Sequence, residues 1–486
     1  MFKFDNSYSR LPENFYERIN PIAVKNPKLI RFNKLLAEEI GLDPIKDNNH
    51  LETIFSGNVL PKDSDPIALA YAGHQFGHFV PQLGDGRAVL LGEVSNHDGF
   101  RFDIQLKGSG PTSFSRGGDG RAPLGPVIRE YIMSEAMHFL NIPTTRSLAM
   151  VATDELVSRE TLLPGGVLTR IASSHIRVGT FEYFAAQGDQ KNLKLLADYA
   201  INRHYSNIDE SNNRYQIFLE SVCDKQASLI AKWMEVGFIH GVMNTDNTSI
   251  SGETIDYGPC AFMDSYHPET VFSSIDHHGR YAYGNQPNIG QWNLARLSEC
   301  LLPLIDNDSN KAITIAEEIL DSFGRKFEDY WFNGMCKKIG LPGSKKNNRA
   351  LLQDLLKLMQ KNQSDFTLTF WYLSEYIENQ NCDLKKQFTS NNEIDSWLIK
   401  WEKALKQEKK TKTKIKESML KVNPAYIPRN HQVEKAIYEA LNNYDYSYMD
   451  RLTLLLEKPY DYKPENIEFM MPPENGDQNY QTFCGT

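Results

Sequence analysis

The pattern of apolar residues changes along the chain, and this change constrains the fold more than any other feature. From about Pro81 to Ala172, short strand-like runs and Gly-rich turns are interrupted by one helical pattern. From about Arg214 onward, amphipathic helical patterns dominate, and the first of them ends before Gly237, where a helix C-cap is expected. Because a period of two is typical of strands and a period of 3.6 is typical of helices, the sequence predicts an α+β protein.

The segments after Asn293 extend the helical part. Three of them have helical apolar spacing, namely LARLSECLLPLI, KAITIAEEILDSFGRKF and LLQDLLKLMQ. A Lys-rich stretch, KALKQEKKTKTKIK, also contains Glu and Gln, which favours a solvated helix face or loop over a nucleic-acid-binding segment. No internal repeat or low-complexity linker separates these segments, so we expect them to pack onto the body of the protein.

The composition indicates a globular protein with a sizeable core, since 41% of the 486 residues are hydrophobic. This length corresponds to about two to four domain-sized units. The 62 acidic residues outnumber the 53 basic residues, and the net charge of −9 provides no electrostatic footprint for general nucleic-acid binding. We therefore expect the partner to be a small molecule or another protein, and no nucleic acid.

The sequence has no features of a membrane span or an export signal. No run approaches about 18 consecutive apolar residues, and MFKFDNSYSR lacks a signal-peptide apolar region. We expect no membrane association and a cytoplasmic location. The six cysteines include no CxxC pair, which argues against a structural zinc site and a secreted disulfide framework. Cys484, near the chain end, is the thiol best placed for redox chemistry.

A predicted β-hairpin carries the first candidate for a phosphate site. Residues 87–95 and 100–107 have strand patterns, and the turn residues NHDG join them. Gly84 and Gly86 precede the first strand, and Lys107 ends the second. Glycines let a backbone approach a phosphate closely, and a lysine supplies a point charge. A two-glycine turn is more often only a turn, so this candidate depends on an acidic partner for Lys107.

The helix predicted after this hairpin offers two such partners. In APLGPVIREYIMSEAMHFL, Pro126 suits the start of a helix, and Glu130 and Glu135 follow it. The two glutamates are five residues apart and point in clearly different directions, so only one can pair with Lys107. The residue pattern leaves the choice between them open.

Further positions could contribute to the same phosphate site. The loop SRGGDGRAP contains Asp119 and Gly120 between two arginines, and it is either a flexible loop or a second nucleotide-contacting loop. Arg170 and Arg177 are either ordinary surface charges or bidentate phosphate ligands. The chain has neither a G-x-x-x-x-G-K-[ST] motif nor a G-x-G-x-x-G motif after a strand, which leaves a kinase-like phosphate site as the remaining arrangement.

The stretch HGVMNTDNTSISGETIDYG, residues 240–258, predicts a metal site. If Ser and Gly at 251–252 form a two-residue hairpin loop, Asn247 lies opposite Asp256 with the Cα atoms about 4.5–5.5 Å apart. Amide and carboxylate oxygens are the ligands that a nucleotide-bound Mg²⁺ prefers. The alternative is two unrelated turns. The upstream glycines, Lys107 and glutamates precede this stretch in the order that a kinase uses, which favours the nucleotide-metal site.

Position 242 distinguishes this stretch from that of a protein kinase. A kinase places the Asp that accepts the proton of the substrate hydroxyl five residues before its metal-binding Asn, and the chain has Val242 there. Asp246 lies instead directly before Asn247. Because the position of the base decides which phosphorus is attacked, the sequence predicts either no transfer or a transfer different from that of a kinase.

Together, these motifs resemble those of the selenoprotein O family of kinase-like protein adenylyltransferases. The matching text extends from the first hundred residues to about residue 435. It consists of YAGHQFGHFVPQLGDGRAVLLGEV, DIQLKGSGPTSFSRGGDGRAPLGPVIREYIMSEAMHFL, GGVLTRIASSHIRVGTFEYFA, GFIHGVMNTDNTSISGETIDYGPCAF, GNQPNIGQWNLARL and NPAYIPRNHQVE.

The resemblance implies a bilobal, protein-kinase-like fold with a long C-terminal helical extension. An N-lobe would span residues 1–175, a C-lobe core residues 176–300, and the extension residues 301–486. ATP would bind in a flipped orientation that presents its α-phosphorus. The reaction would transfer AMP from ATP to Ser, Thr or Tyr hydroxyls of protein substrates and release pyrophosphate, with Mg²⁺ or Mn²⁺ as the cofactor.

The resemblance also implies roles for residues at matching positions. Asp246 would accept the proton, while Asn247 and Asp256 would hold the metal. Glu130 would be the partner of Lys107. The residues that would contact the nucleotide are Gly84, Gly86, Arg87, Lys107, Asp119, Gly120, Arg170, Arg177 and Asp256.

Members of the family commonly end with selenocysteine or cysteine associated with redox control, and Cys484 fits that pattern. A disulfide to the activation segment would be the corresponding switch, and Cys260 is the only cysteine of that segment. Other members place the segment's cysteine further along, where this chain reads ETVFSSIDHHGRY.

Three other functions remain as alternatives. A kinase that transfers the γ-phosphoryl group is disfavoured by Val242, and a catalytically silent nucleotide-binding scaffold has no need of both Asn247 and Asp256. A zinc hydrolase built on His74 and His78 is disfavoured because Gly residues at 73 and 77 oppose a helix and no Glu lies between the histidines.

Overall fold

The computed structural model describes residues 2–42, 48–209, 213–474, 476 and 480–483, and every structural statement below refers to them. The strands are β1 Tyr16–Arg18, β2 Lys28–Phe32, β3 Ile67–Leu69, β4 Gly73–Gln75, β5 His78–Val80, β6 Ala88–Ser95, β7 Arg101–Lys107, β8 Ala122–Pro123, β9 Arg146–Ser158, β10 Leu162–Ala172, β11 Phe238–Ile239 and β12 Ala261–Phe262.

The helices follow mainly after the strands, so the predicted α+β class is confirmed. They are α1 Lys34–Glu39, α2 Asn48–Phe55, α3 Leu124–Phe139, α4 Val178–Ala186, α5 Gln190–His204, α6 Arg214–Glu235, α7 Gln286–Ile305, α8 Ser309–Lys338, α9 Lys346–Asn362, α10 Phe366–Tyr376, α11 Asn391–Gln407, α12 Lys412–Leu420, α13 Asn430–Asn442, α14 Ser447–Leu456 and α15 Ile467–Met470. In the described part of the chain, no helix is both long and apolar enough to cross a membrane.

The main sheet positions Lys107 near its centre. Its strands follow the order β1-β3-β6-β7-β10-β9-β2, and β8 also pairs with β10. Strands β6 and β7 form the predicted antiparallel hairpin, in which Ala88 lies opposite Lys107. On the other side of β7, Leu168 of β10 lies opposite the same lysine. Lys107 is therefore fixed by neighbours on both sides.

Helix α3 packs against β9 and β10 of this sheet. Its apolar side chains, such as Ile128 and Ile132, are buried in the main core. The helix begins two residues before the predicted Pro126, directly after Pro123 at its N-cap. This packing places the acidic residues of α3 close to the end of β7.

Helices α13 and α14 of the C-terminal part contact α3 as well. Arg129 of α3 forms an ion pair with Glu434 of α13. Arg31 on β2 pairs with Asp450 of α14 at 2.5 Å and donates to the hydroxyl of Tyr131 on α3 at 3.2 Å. The C-terminal helices therefore pack onto the body of the protein, as predicted, and hold α3 against the sheet.

A buried ion-pair cluster joins the C-terminal part to the segment that follows β12. The Arg429 guanidinium is fully buried and contacts the carboxylates of Asp264 and Asp365, the latter at 2.6 Å. Its Nε donates to the carbonyl of Met470 at 2.9 Å. Asp365 also caps α10 by accepting from the amide of Leu368. One arginine thus connects four separate parts of the chain.

Lys338, at the end of α8, is a buried lysine with few compensating contacts. Its ammonium group lies 3.4 Å from the carbonyl oxygen of Val422 and 4.8 Å from the centroid of the Phe370 ring. Burial lowers the pKa of Lys338 from 10.5 to about 7, against the opposing effect of Glu235. The folded protein therefore holds this lysine uncharged over much of the alkaline range.

We expect Lys338→Met to stabilise the protein at pH 6 by about 1–3 kcal/mol, since a buried charge is replaced by an apolar side chain of similar length. Between pH 7 and 10.5 the unfolded wild type binds a proton that the folded state does not, so its free energy of unfolding rises with pH. The advantage of the variant should therefore shrink from pH 7 to pH 9.5. Urea unfolding at several pH values measures it.

The neighbouring Lys337 is exposed and provides the control. Lys337→Met should change the free energy of unfolding by less than about 0.5 kcal/mol at every pH. If Lys338→Met is no more stable than wild type at pH 6, the surroundings of Lys338 in the wild type favour its ammonium form.

Candidate active site

A cavity of about 820 Å³ lies where the sheet meets the segment from 242 to 259. It brings together all the residues predicted to contact a nucleotide or a metal, as well as Val242. The predicted contacts are Gly84, Gly86, Arg87, Lys107, Asp119, Gly120, Arg170, Arg177, Asn247 and Asp256. The predicted proton acceptor Asp246 lines the same cavity.

Lys107 pairs with Glu130, the glutamate that the resemblance implies. Lys107 Nζ lies 2.6 Å from Glu130 Oε2, and the other oxygen of Glu130 accepts from Arg170 Nε at 2.9 Å. Burial alone would raise the pKa of the Glu130 carboxyl, but Arg170 and Lys107 hold it below its usual value. Glu135 faces away and pairs with Arg146 at 2.8 Å. The spacing on α3 had left this choice open.

Asp256 is the centre of a second, connected set of ion pairs. Its carboxylate lies 3.2 Å from Lys107 Nζ, 2.6 Å from Arg170 Nη2 and 2.6 Å from Arg177 Nη1. Burial alone would raise the pKa of Asp256, but Arg170, Arg177 and Lys107 hold it well below its usual value. Its backbone is in the left-handed region, with φ of 63°, which directs the residue out of a regular strand.

Arg177 connects the glycine turn, through Asp85, to the segments that carry Asp246 and Asp256. It precedes α4, its guanidinium carbon lies 4.7 Å from the centroid of the Tyr71 ring, and Nη1 donates to the carbonyl of Asp246 at 2.6 Å. Asp85 lies 3.8 Å from the same guanidinium. Sequence reasoning did not find Tyr71 or Asp85. Asp85 could have been noticed as an acidic residue between the two glycines of the turn.

The Asp246 carboxyl is buried at the edge of the cavity. It is only 7% exposed, and its Oδ1 atom has no hydrogen-bond partner among the described residues. The side chain of Gln75 donates to Oδ2 at 3.4 Å. Burial raises the pKa of the Asp246 carboxyl to about 6, while Arg177 opposes the shift. A carboxylate of this basicity accepts a proton more readily than an ordinary Asp.

A hydrogen-bond network fixes the segment that carries Asp246. The amide of His74 donates to Thr245 Oγ1 at 2.7 Å, and the Thr245 hydroxyl donates to Glu182 at 2.5 Å. Nδ1 of His74 lies 2.5 Å from the other Glu182 oxygen. His74 and His78 lie on β4 and β5, so they are not the helical ligand pair that a zinc hydrolase needs.

The prediction that a hairpin joins Asn247 to Asp256 is wrong. Residues 245–247 form a 3₁₀ turn, and the two segments pair with other parts of the chain. Ser249 forms a bridge with Arg177, and Thr254 forms one with Thr144. Asn247 and Asp256 nevertheless line one cavity, because those longer-range contacts bring both segments to it.

The glycine turn and the Asp119 loop pack against each other. Gly84 has φ of 66°, and a side chain there would collide with the ring of Phe114. Because Gly84 has no side chain, Phe114 packs directly against this turn, which lines the cavity. Asp119 is 40% exposed and pairs with Arg159 at 3.0 Å. Arg87 lines the cavity, and no carboxylate of the described residues forms an ion pair with it, so its charge is available to a ligand.

A family model described as protein adenylyltransferase SelO matches residues 1–457. The chain belongs to this family. The protein nucleotidyltransferase YdiU of Maridesulfovibrio salexigens is 56% identical over 483 residues, which cover 99% of this chain and 98% of the relative. YdiU of Rhizobium johnstonii is 53% identical over 487 residues, covering 100% and 97%. YdiU of Methylorubrum extorquens is 52% identical over 495 residues, covering 100% and 99%.

Membership of the SelO family confirms both the resemblance and the predicted enzyme class. The chain is a nucleotidyltransferase of the protein adenylyltransferase family, for which ATP is the nucleotide substrate. The cavity and its cations therefore belong to an enzyme whose substrate carries phosphates.

The oxygen atoms of the cavity fit the divalent cation that the family implies. The side-chain amide N–H of Asn247 donates a hydrogen bond to the carbonyl of Val242 at 3.0 Å. The Oδ1 atom of Asn247 is therefore the one able to ligate a metal. The Asp256 carboxylate supplies further hard oxygens. Among the described residues, no three His, Cys, Asp or Glu side chains form a metal site, so substrate phosphates would have to complete the coordination.

The predicted redox switch involves Cys484 and Cys260. Cys484 lies outside the described residues. Cys260 is fully buried, and burial raises the pKa of its thiol to about 12, which disfavours the reactive thiolate. The nearby tail residue Thr482 donates its hydroxyl to the carbonyl of Pro259 at 2.7 Å. The tail thus approaches this segment, while the Cys260 thiol itself is poorly suited to exchange.

Proposed function

We propose that the chain transfers AMP from ATP to a Ser, Thr or Tyr hydroxyl of a protein substrate and releases pyrophosphate. The observation that carries this proposal is the position of Asp246. Its buried carboxylate faces the same cavity as Lys107, Arg170 and Arg177, while Val242 occupies the place where a kinase would have its base. This arrangement supports attack on a phosphorus other than the γ-phosphorus.

In the proposed step, the acceptor oxygen forms a bond to the α-phosphorus of ATP. The bond from that phosphorus to the bridging oxygen breaks, and pyrophosphate leaves with the electron pair. Asp246 takes the proton of the hydroxyl. Lys107, Arg87 and Arg177 offset the charge of the phosphates, since fixed cations stabilise charge that moves onto the leaving group.

We infer that Asn247 and Asp256 hold Mg²⁺, or Mn²⁺ in its place. When bound, the ion would supply positive charge against the phosphate oxygens. The remaining predicted nucleotide contacts, which are also part of this proposal, are Gly84, Gly86, Asp119, Gly120 and Arg170.

We also infer a bilobal, protein-kinase-like architecture. The N-lobe would be residues 1–175, because the main sheet ends with β10 at Ala172. The C-lobe core would be residues 176–300 and the helical extension residues 301–486, although α7 continues to Ile305. The proposed location is the cytoplasm, with ATP and protein substrates as partners. Redox control through Cys484 remains part of the proposal.

Labelled ATP distinguishes this reaction from its alternatives. The purified protein is incubated with Mg²⁺ and ATP labelled on either the α- or the γ-phosphorus. We expect label on protein from the α-position only. Label from the γ-position only would indicate a kinase, and label from neither position would indicate a silent nucleotide-binding scaffold.

Asp246→Asn should lower the rate of AMP transfer by about 10²–10⁴-fold, since a general base contributes about that factor. The variant keeps the size of the side chain, so the affinity for ATP should change little. Transfer from α-labelled ATP and equilibrium binding of a non-hydrolysable analogue measure the two quantities.

The matched control is Asp98→Asn, in the exposed turn between β6 and β7. It should leave both quantities unchanged. An Asp246→Asn protein with the wild-type rate would assign the proton transfer to another group.

A further inference from the structure

One surface beside Asp246 has features that AMP transfer itself does not use. Gln75 and Phe76 extend from β4 into the wall of the cavity. On the neighbouring strand, Phe79 is 40% exposed, and its ring centroid lies 5.0 Å from that of His74. Ile275, which lines the cavity with Gln75 and Phe76, is 51% exposed. Large exposed apolar side chains beside a polar cavity are typical of a contact with another molecule.

Hydrogen bonds hold the β4–β5 hairpin in a fixed position next to Asp246. Gln75 donates to the Asp246 carboxylate, and the amide of Phe76 donates to Asn244 Oδ1 at 3.1 Å. A side chain at Gly73 would collide with Asp246. Any segment bound on this hairpin therefore lies at a fixed position relative to the general base.

Arg280 supplies a positive charge next to the same hairpin. A Cβ atom added at Gly77 would lie 3.6 Å from the guanidinium carbon of Arg280. The same carbon lies 4.9 Å from the centroid of the Trp292 ring. Arg296 approaches the same ring but pairs with Glu299 at 2.6 Å. Among the described residues, no carboxylate forms an ion pair with Arg280, and its Nε has no hydrogen-bond partner.

We propose that Phe79, Ile275, Arg280 and Trp292 form an acceptor-docking surface. Its occupant is a segment of the protein substrate that carries an acidic residue close to the hydroxyl that receives AMP. The acidic side chain pairs with the Arg280 guanidinium, which is built for bidentate contact with a carboxylate. Apolar side chains of the segment pack on Phe79 and Ile275. This inference rests on the proposed function and adds a substrate class to it.

The test uses peptides that differ only in the residues flanking one tyrosine, which are Asp, Asn or Lys. With α-labelled ATP, wild type should modify the Asp peptide with a kcat/KM about tenfold above that of the Lys peptide, the effect of one charge-assisted contact. Arg280→Glu should remove or reverse this preference. The affinity for an ATP analogue should not change.

The control variant is Arg325→Glu, which makes the same charge change at an exposed position on α8. It should retain the wild-type preference. Equal kcat/KM on all three peptides, or an unchanged preference in Arg280→Glu, overturns the docking surface alone. No label on any peptide or protein from wild type refutes the proposed function, and this inference with it.

Discussion

Asp256→Ala is expected to abolish detectable AMP transfer, a loss of at least about 10³-fold, the upper end of what one electrostatic group contributes. The carboxylate has two functions that no neighbour replaces. It is a proposed metal ligand, and it contacts Lys107, Arg170 and Arg177 at 2.6–3.2 Å. Without it, Lys107 and Arg170 would share Glu130, Arg177 would face the more distant Asp85, and the positions of the three cations would change. Transfer of label from α-labelled ATP measures the loss.

A second measurement separates chemistry from folding. Removing Asp256 leaves buried positive charge less compensated, so we also expect a lower melting temperature, and activity is compared well below it. Asp98→Ala, in an exposed turn, should leave both quantities unchanged. Full activity in Asp256→Ala would refute the metal assignment and the need for this carboxylate among the cations.

Arg429→Met is expected to lower the free energy of unfolding by about 3–5 kcal/mol, the cost of removing one partner of a buried ion pair. Asp264 and Asp365 are almost fully buried, and both lose their cation in this variant. The carbonyl of Met470 also loses its donor. Denaturant unfolding of the complete chain, followed by circular dichroism, measures the change.

Arg10 is the matched control for this prediction. Its guanidinium pairs with Asp5 at 2.9 Å, and the two side chains are 62% and 51% exposed. Because an exposed ion pair contributes about 0.2–1 kcal/mol, Arg10→Met should have a small effect. If both variants unfold at the same denaturant concentration, the buried cluster contributes no more than a surface pair.

Local patterns predicted the elements of this fold, because strands and helices depend on nearby residues. The β6–β7 hairpin and α6 both have the predicted positions. The hairpin between Asn247 and Asp256 failed because the same short-range rule was applied to segments that pair with Arg177 and Thr144, far away in sequence. A two-residue turn rule has no information about such competing partners.

The candidate site was predictable where it depends on residue type, and less so where it depends on packing. Glycines, a strand lysine and an Asp-Asn pair marked the cavity in advance. Spacing could not choose between Glu130 and Glu135, since only the packing of α3 on the sheet decides which one meets Lys107. The contacts of His74 with Glu182 and Thr245 join three distant segments and leave no local signal.

The packing of α3 between the sheet and helices α13 and α14 has a consequence for control of the enzyme. In protein kinases, movement of the helix that bears the ion-pair glutamate switches activity. Here that movement would have to break the Arg129–Glu434 pair and separate α3 from α13 and α14. The packing of α3 therefore stabilises the Lys107–Glu130 contact. We therefore expect on–off control of this enzyme, including any redox control through Cys484, to leave α3 in place.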